Sequence, residues 1–221
     1  MVRIGHRGAA GYAIENTLLS VQKAIDLQVD FIEIDVQVTR DGQLVLFHDK
    51  LLDRLTNLSG YLSGYSYSQL RRARLPDGQT IPRLQEVFPL LIGAKSALLI
   101  EIISFGIEDE LIRTLSLNLS DKQFAIASFS HQSLLATRHL NEAVVTVALI
   151  EGIPINLEDV ISDCRCDFVG FGFDSITEEA VSRSHHLGAS VMAWTVDDPR
   201  EIARARGIGV DGIISNFPDR V

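Results

Sequence analysis

The sequence predicts an α/β fold, a (β/α)8 TIM barrel with a small insertion after the second barrel strand, and three observations carry that expectation. Short β-branched or apolar runs alternate with longer stretches of helical period, and repeated β-then-α units build a parallel sheet. Eight such runs can be counted, the number that closes a barrel. A chain of 221 residues suits one barrel of this kind and shows no linker-like shift in composition, so residues 1–221 are expected to form a single domain.

Taken in order, the first strand is expected over residues 2–6 and a helix over 16–27, with the second strand over 31–38. A further strand-like run, 43–48, follows after only Arg40, Asp41 and Gly42, too few residues to join parallel strands, so it is expected to fold back as a hairpin. Asp41 and Gly42 suit turn positions with positive φ, and counting outward from them sets Asp35 opposite His48. Residues 50–80, rich in turn residues and tyrosine, read as a small excursion rather than a domain. The remaining strands are expected over 97–103, 124–128, 144–150, 168–171, 191–196 and 212–215. Helical stretches over 107–117, 131–140, 177–187 and 198–206 separate most of them.

Composition narrows the function. Apolar residues make up 46% and charged residues 22%, which excludes a disordered or collagenous chain and allows a sizeable core. Twenty basic against 29 acidic side chains give a net charge of −9, which argues against a general nucleic-acid binder. An anionic substrate would need a local cation. The opening MVRIGH lacks a secretory pattern, and no apolar run approaches the ~18 residues of a membrane span, so stable membrane insertion is not expected. Cys164 and Cys166, one residue apart, suit neither a disulfide nor a zinc site, and a reduced, cytoplasmic setting is expected.

The chemistry concentrates at strand ends. Glu33 and Asp35 are two residues apart and leave the same face of their strand, while Ile32, Ile34 and Val36 take the other. On a barrel strand this points two carboxylates inward, where they need a cation or a shared proton; a solvated strand edge is the bland alternative. Glu101 ends the apolar run from Ala97 and would be costly to bury as a bare charge. Three carboxylates with neither thiols nor a His-x-x-x-His pattern make a hard oxygen site suited to Mg²⁺ or Ca²⁺; a protonated or Arg-paired core glutamate is the competing explanation for Glu101. His6 and Arg7 close the first strand ahead of Gly8, and His48 with Asp49 is expected at the same mouth. Two histidines facing one metal site form an acid–base pair, and a guanidinium fork suits phosphate.

Together these segments resemble a known family. The order Gly5-His6-Arg7-Gly8, Glu15-Asn16-Thr17, Glu33-x-Asp35, Thr39-x-Asp41-Gly42, His48-Asp49, Ile81-Pro82-x-Leu84 and Ser128-Phe129 resembles the glycerophosphodiester phosphodiesterases. Ala193-Trp194-Thr195-Val196 and Asp211-Gly212-Ile213-Ile214 are similar to that family's C-terminal pattern. The resemblance implies hydrolysis of small glycerophosphodiesters to glycerol 3-phosphate and an alcohol. It assigns Glu33, Asp35 and Glu101 to a divalent metal, His6 and His48 to general acid and base, Arg7 to the phosphate and Trp194 to the substrate pocket. One position departs from the family pattern: the family usually has a lysine two residues after its fourth-strand glutamate, and this chain has Ile103 there.

Two other readings stay open on the sequence. One is a related activity on lysophospholipids, of lysophospholipase D type, with an apolar groove formed by Tyr61, Tyr65 and Tyr67. The other is a catalytically impaired barrel that binds a phosphorylated ligand, suggested by Ile103. His185 and His186 precede Gly188 at a helix end, where the dipole favours cations, and are read as structural. Arg71, Arg72 and Arg74 are read as a solvated face, and Ser128 lacks a nucleophile elbow. Asn16 precedes the first helix and is expected either to cap it or, as the family resemblance implies, to support the first loop.

Overall fold

The computed structural model describes every residue from Met1 to Val221. In chain order it runs β1 (Val2–Gly5), α1 (Leu18–Asp26), β2 (Phe31–Val38), β3 (Leu44–Leu46) and the short helix α2 (Tyr67–Leu70). Strands and helices then alternate: β4 (Ala97–Ile102), α3 (Glu108–Ser116), β5 (Phe124–Ser128), α4 (His131–Leu140), β6 (Val145–Ile150) and α5 (Leu157–Cys164). β7 (Phe168–Gly172), α6 (Glu178–His186), β8 (Ser190–Trp194), α7 (Pro199–Gly207) and β9 (Gly212–Ser215) complete the strands and α-helices. Eight parallel strands pair in the order β1-β9-β8-β7-β6-β5-β4-β2, and β1 pairs with β2 to close the ring. No helix is long and apolar enough to cross a membrane.

Strand alternation builds two apolar layers. On β2 the fully buried Ile32, Ile34 and Val36 face the helices, within a cluster of 44 buried residues between strands and helices. Inward positions Ile4, Leu99, Ala125, Ala127, Val147, Leu149, Met192 and Ile214 fill the barrel itself. Each fully buried Leu or Ile side chain contributes roughly 1.5–3 kcal/mol relative to exposure. Gly170 shows how tight this filling is: a Cβ there would stand 2.8 Å from the Leu149 side chain. Glu33, Asp35 and Gln37 share the inward face of β2, so the strand that packs the helix layer also delivers polar groups to the barrel interior.

Three local details differ from the sequence expectations. The hairpin turn holds three residues, with the Thr39 N–H donating to the Gln43 carbonyl at 3.0 Å, and Gly42 alone in it has positive φ. Asp41 instead accepts from the Thr39 hydroxyl at 2.6 Å and the Tyr67 N–H at 2.9 Å. The extra turn residue moves the register by one: Val36 pairs with Leu46, and Asp35 accepts from the Phe47 N–H rather than facing His48. Second, α5 was not anticipated, although Leu157, Ile161 and Cys164 recur at helical spacing and are its buried residues. Third, α1 is capped by Thr17, whose hydroxyl accepts from the Ser20 N–H while the Ser20 hydroxyl accepts from the Thr17 N–H. Asn16 is thereby free for another task.

The excursion shares a separate small core with β3 and the segments that flank it, formed by Val45, Phe47, Leu52, Leu62, Leu70, Ala73, Leu75 and Ile81. That cluster braces the chain segment immediately around His48.

Candidate active site

His6 follows β1 on the inward face, one alternation beyond the buried Ile4. The Asn216 amide donates from Nδ2 to Asp197 Oδ2 at 2.7 Å, which turns its oxygen toward the imidazole. His6 therefore donates from Nδ1 to Asn216 Oδ1 at 2.8 Å, leaving the Nε2 lone pair free. Burial, and then the neighbouring Arg7 charge, hold His6 below its ordinary value of 6.5, so the ring is neutral at physiological pH.

Arg7 adopts a left-handed backbone (φ 48°), a conformation costing a non-glycine residue about 1–2 kcal/mol. Its N–H donates to Glu33 Oε2 at 2.6 Å and its Nη1 to Glu15 Oε1 at 2.6 Å, while Nε lies 3.2 Å from Asp35 Oδ2. Gly8 continues the left-handed turn at φ 89°, and a Cβ there would meet the Ser20 hydroxyl at 2.4 Å. A side chain at position 8 would therefore collide with Ser20, and the bend aims the Arg7 guanidinium into the barrel mouth.

Carboxylate oxygens of Glu33, Asp35 and Glu101 lie within 4.8 Å of one another. Asp35 stands beside Glu101 across the β2–β4 pair. Burial, then Asp35 and Glu101, push Glu33 well above the usual carboxylate range, and burial with the Asp35 charge pushes Glu101 up to about 8. Glu33 Oε1 is buried without a hydrogen-bond partner. An orphaned buried oxygen in a set of three carboxylates, faced by a single guanidinium, fits a hard divalent cation.

Gln37, two residues beyond Asp35, anchors the second histidine. Its Nε2 approaches the carbonyls of Phe47, His48 and Asp49 at 2.7, 3.1 and 2.8 Å, pinning the segment after β3 across the barrel mouth. His48 Nδ1 lies 2.7 Å from Asp49 Oδ1. Arg54 Nε donates to the other oxygen, Asp49 Oδ2, and holds this carboxyl below its usual range.

A cavity of about 170 Å³ opens between these groups, with His6, Arg7, Glu33, His48 and Glu101 on its polar side. Leu99, Leu149, Phe129 and Trp194 are among its apolar walls. Trp194 donates from Nε1 to the Gly170 carbonyl at 3.0 Å and meets Phe129 edge-on at 5.4 Å, so its ring is fixed by a strand on one side and an aromatic on the other. Asp35, 1% exposed, reaches the cavity through the carboxylate cluster. The fold thus brings all seven predicted residues to one end of the barrel, despite the shifted hairpin register. A second groove shares His48 and is lined further by Lys50, Leu51, Arg54 and Ile103. None of the three tyrosines lines either cavity at this mouth: Tyr67 lines a separate depression with Arg71 and Arg83, Tyr65 donates to the Ser59 carbonyl, and Tyr61 is exposed and bridges to Leu51 through the backbone.

Several supporting residues went unnoticed in the sequence: Gln37, Arg54, Asp197 and Asn216. Gln37 had a signal, since it continues the inward alternation of Glu33 and Asp35; Asp197 and Asn216 meet only because β8 and β9 lie side by side.

Residues 6–220 match the Glycerophosphoryl diester phosphodiesterase family. A Glycerophosphodiester phosphodiesterase of Bacillus altitudinis is 31% identical over 97% of this chain and 94% of its own length. Another from Caldanaerobacter subterraneus is 31% identical over 98% of this chain and 94% of its own. Among solved structures, an Oleispira antarctica phosphodiesterase in complex with the product sn-glycerol-3-phosphate superposes with a TM-score of 0.93 at 25% identity, covering 100% of this chain and 94% of that one.

Proposed function

The chain belongs to the glycerophosphoryl diester phosphodiesterase family, and from that premise we propose that it hydrolyses glycerophosphodiesters to sn-glycerol 3-phosphate and an alcohol, using a divalent metal and the His6–His48 pair. The observation that carries this reading is the pairing of two imidazoles of different hydrogen-bond environment over one trio of buried carboxylates. The product bound to the Oleispira antarctica neighbour supports the reaction assigned to this chain. The reading takes residues 1–221 as one barrel domain, with 50–80 as its excursion.

Glu33, Asp35 and Glu101 would hold the cation, Mg²⁺ or Ca²⁺, which when bound neutralises phosphate charge that otherwise repels a nucleophile. Arg7 faces the same phosphate with a guanidinium that Asp35 and Glu15 keep oriented. His6 is the general base: its Nε2 lone pair accepts the proton of the attacking water or glycerol 2-hydroxyl, and its Nδ1–H is already spent on Asn216. His48 is the general acid. Asp49 orients its ring through Nδ1, and the ring delivers a proton to the departing alcohol oxygen as the P–O bond breaks. Trp194 with Phe129 forms the aromatic wall on which the glycerol rests. The alcohol moiety leaves toward the groove that His48 shares with Lys50 and Ile103.

Turnover of a small panel of glycerophosphodiesters, with and without chelator, tests the proposal. Metal-dependent release of sn-glycerol 3-phosphate supports it; no hydrolysis of any member across Mg²⁺, Ca²⁺ and Mn²⁺ would leave a binding barrel in its place. Substrates lacking the glycerol 2-hydroxyl decide whether that group or water attacks phosphorus.

A further inference from the structure

Arg54 lies in the excursion, well away in sequence from the first loop, yet every one of its guanidinium nitrogens is committed. Nε donates to Asp49 Oδ2 at 2.5 Å, and Nη1 and Nη2 fork onto Glu15 at 3.0 and 2.7 Å. Each of those carboxylates spends its remaining capacity on a group already placed at the cavity. Asp49 Oδ1 holds His48 Nδ1 at 2.7 Å, and Glu15 Oε1 also accepts from Arg7 Nη1 at 2.6 Å. Arg7 is tied in turn to Glu33 through its N–H and to Asp35 through Nε. A continuous chain of ion pairs thus runs from the carboxylate trio to His48, and Arg54 is its one link between the first loop and the excursion.

We propose that Arg54 is a positioning residue for the reaction: braced on Glu15, it holds Asp49 and so fixes where His48 presents its proton to the departing alcohol oxygen. An isolated ion pair at a half-exposed side chain would contribute little. A planar fork with two separate carboxylates at its two edges is different, because it fixes a distance between them, which a single ammonium cannot do. Proton transfer tolerates displacement of only about 0.5 Å, so the link acts on rate through geometry.

The inference rests on His48 being the general acid, and the test separates the two. An alkyl alcohol needs a proton as it departs; a 4-nitrophenolate does not. Steady-state kinetics are compared on glycerophosphoethanol and on glycerol 3-(4-nitrophenyl phosphate). Arg54→Met is expected to lower kcat about 100-fold on the first with KM nearly unchanged, and less than about fivefold on the second. Arg54→Lys, which keeps charge and fold, is expected to show the same leaving-group dependence at smaller size, and it decides the matter where the Met variant folds poorly. Equal losses on both substrates, or no loss on either, overturn the proposal. His48→Gln is the control: a selective loss there without one at Arg54 overturns the Arg54 role alone, whereas an unselective loss at His48 removes the acid assignment and the inference with it.

Discussion

Asn16 grips Asp35 at two points: its Nδ2 donates to Asp35 Oδ2 at 2.7 Å, and its Oδ1 accepts from the Asp35 N–H at 3.0 Å. Both residues are almost wholly buried, so no water replaces either bond. Asn16 stands at φ 56°, a left-handed conformation that asparagine tolerates better than most residues. Removing the side chain leaves the buried Asp35 N–H unsatisfied and Asp35 Oδ2 with Arg7 Nε as its remaining partner, at about 1–3 kcal/mol. Asn16→Gly, which carries no left-handed strain, is therefore expected to lower stability by that amount and divalent-metal affinity about 10- to 100-fold. Calorimetric metal titration and denaturant unfolding measure the two effects; unchanged affinity would show that Asp35 needs no partner.

Metal binding should expel protons. Glu101 sits at about 8 in the metal-free protein, so it carries a proton at pH 7 that a cation must displace, and Glu33 is shifted in the same direction by burial and by Asp35 and Glu101. Calorimetric titrations in buffers of different ionisation enthalpy are expected to report net proton release at pH 7 that vanishes well above pH 8. The same groups set a stability trend. A folded value above the unfolded 4.5 means that the folded protein binds more protons between 4.5 and about 8, so the metal-free protein should lose stability as pH rises through that interval. Saturating metal should flatten the trend.

His6 has the opposite sign. Burial and Arg7 hold its folded value below 6.5, so the unfolded chain takes up the proton first as pH falls. Its contribution to stability is complete above 6.5 and is lost as pH falls through the lowered folded value. As general base it must be neutral, and the acid limb of kcat/KM is expected below pH 6.5. Asn216→Ala frees Nδ1 and lets the ring turn; kcat should fall roughly 10- to 100-fold, against about 100- to 10,000-fold for His6→Gln. An acid limb at or above pH 7 would point to a different base.

Ile103 and Lys50 line one groove beside His48, which places a cation near the position that the family resemblance assigns to lysine. Lys50→Ala is expected to lower kcat/KM about tenfold, and adding Ile103→Lys to that variant to restore most of the loss, since either ammonium serves the same anionic substrate. In the wild-type background Ile103→Lys should change kcat/KM less than about threefold. A large gain there would show that Lys50 does not supply the cation.

The barrel was legible from the sequence because its signals are local. Period-two alternation in β2 sends Ile32, Ile34 and Val36 to the helices and Glu33 and Asp35 inward, and the inward direction of Glu101 follows from the same rule in β4. His6 and Arg7 needed only their place at the end of β1. His48 was reached by a partly wrong route: the register expected from the turn failed by one residue, yet Gln37 carries the segment to the same mouth.

By itself the sequence determined which side chains face the barrel interior and at which end they gather, since strand periodicity and the parallel α/β rule act over a few residues at a time. Only the tertiary structure decided how those groups are held and charged. Asn16 on Asp35, Asn216 on His6 and Arg54 between Glu15 and Asp49 are contacts between segments far apart in the chain. Burial depth, which raises Glu33 and Glu101 and lowers His6, is likewise a property of the packed whole, because desolvation depends on every element that closes over a group rather than on its neighbours in sequence.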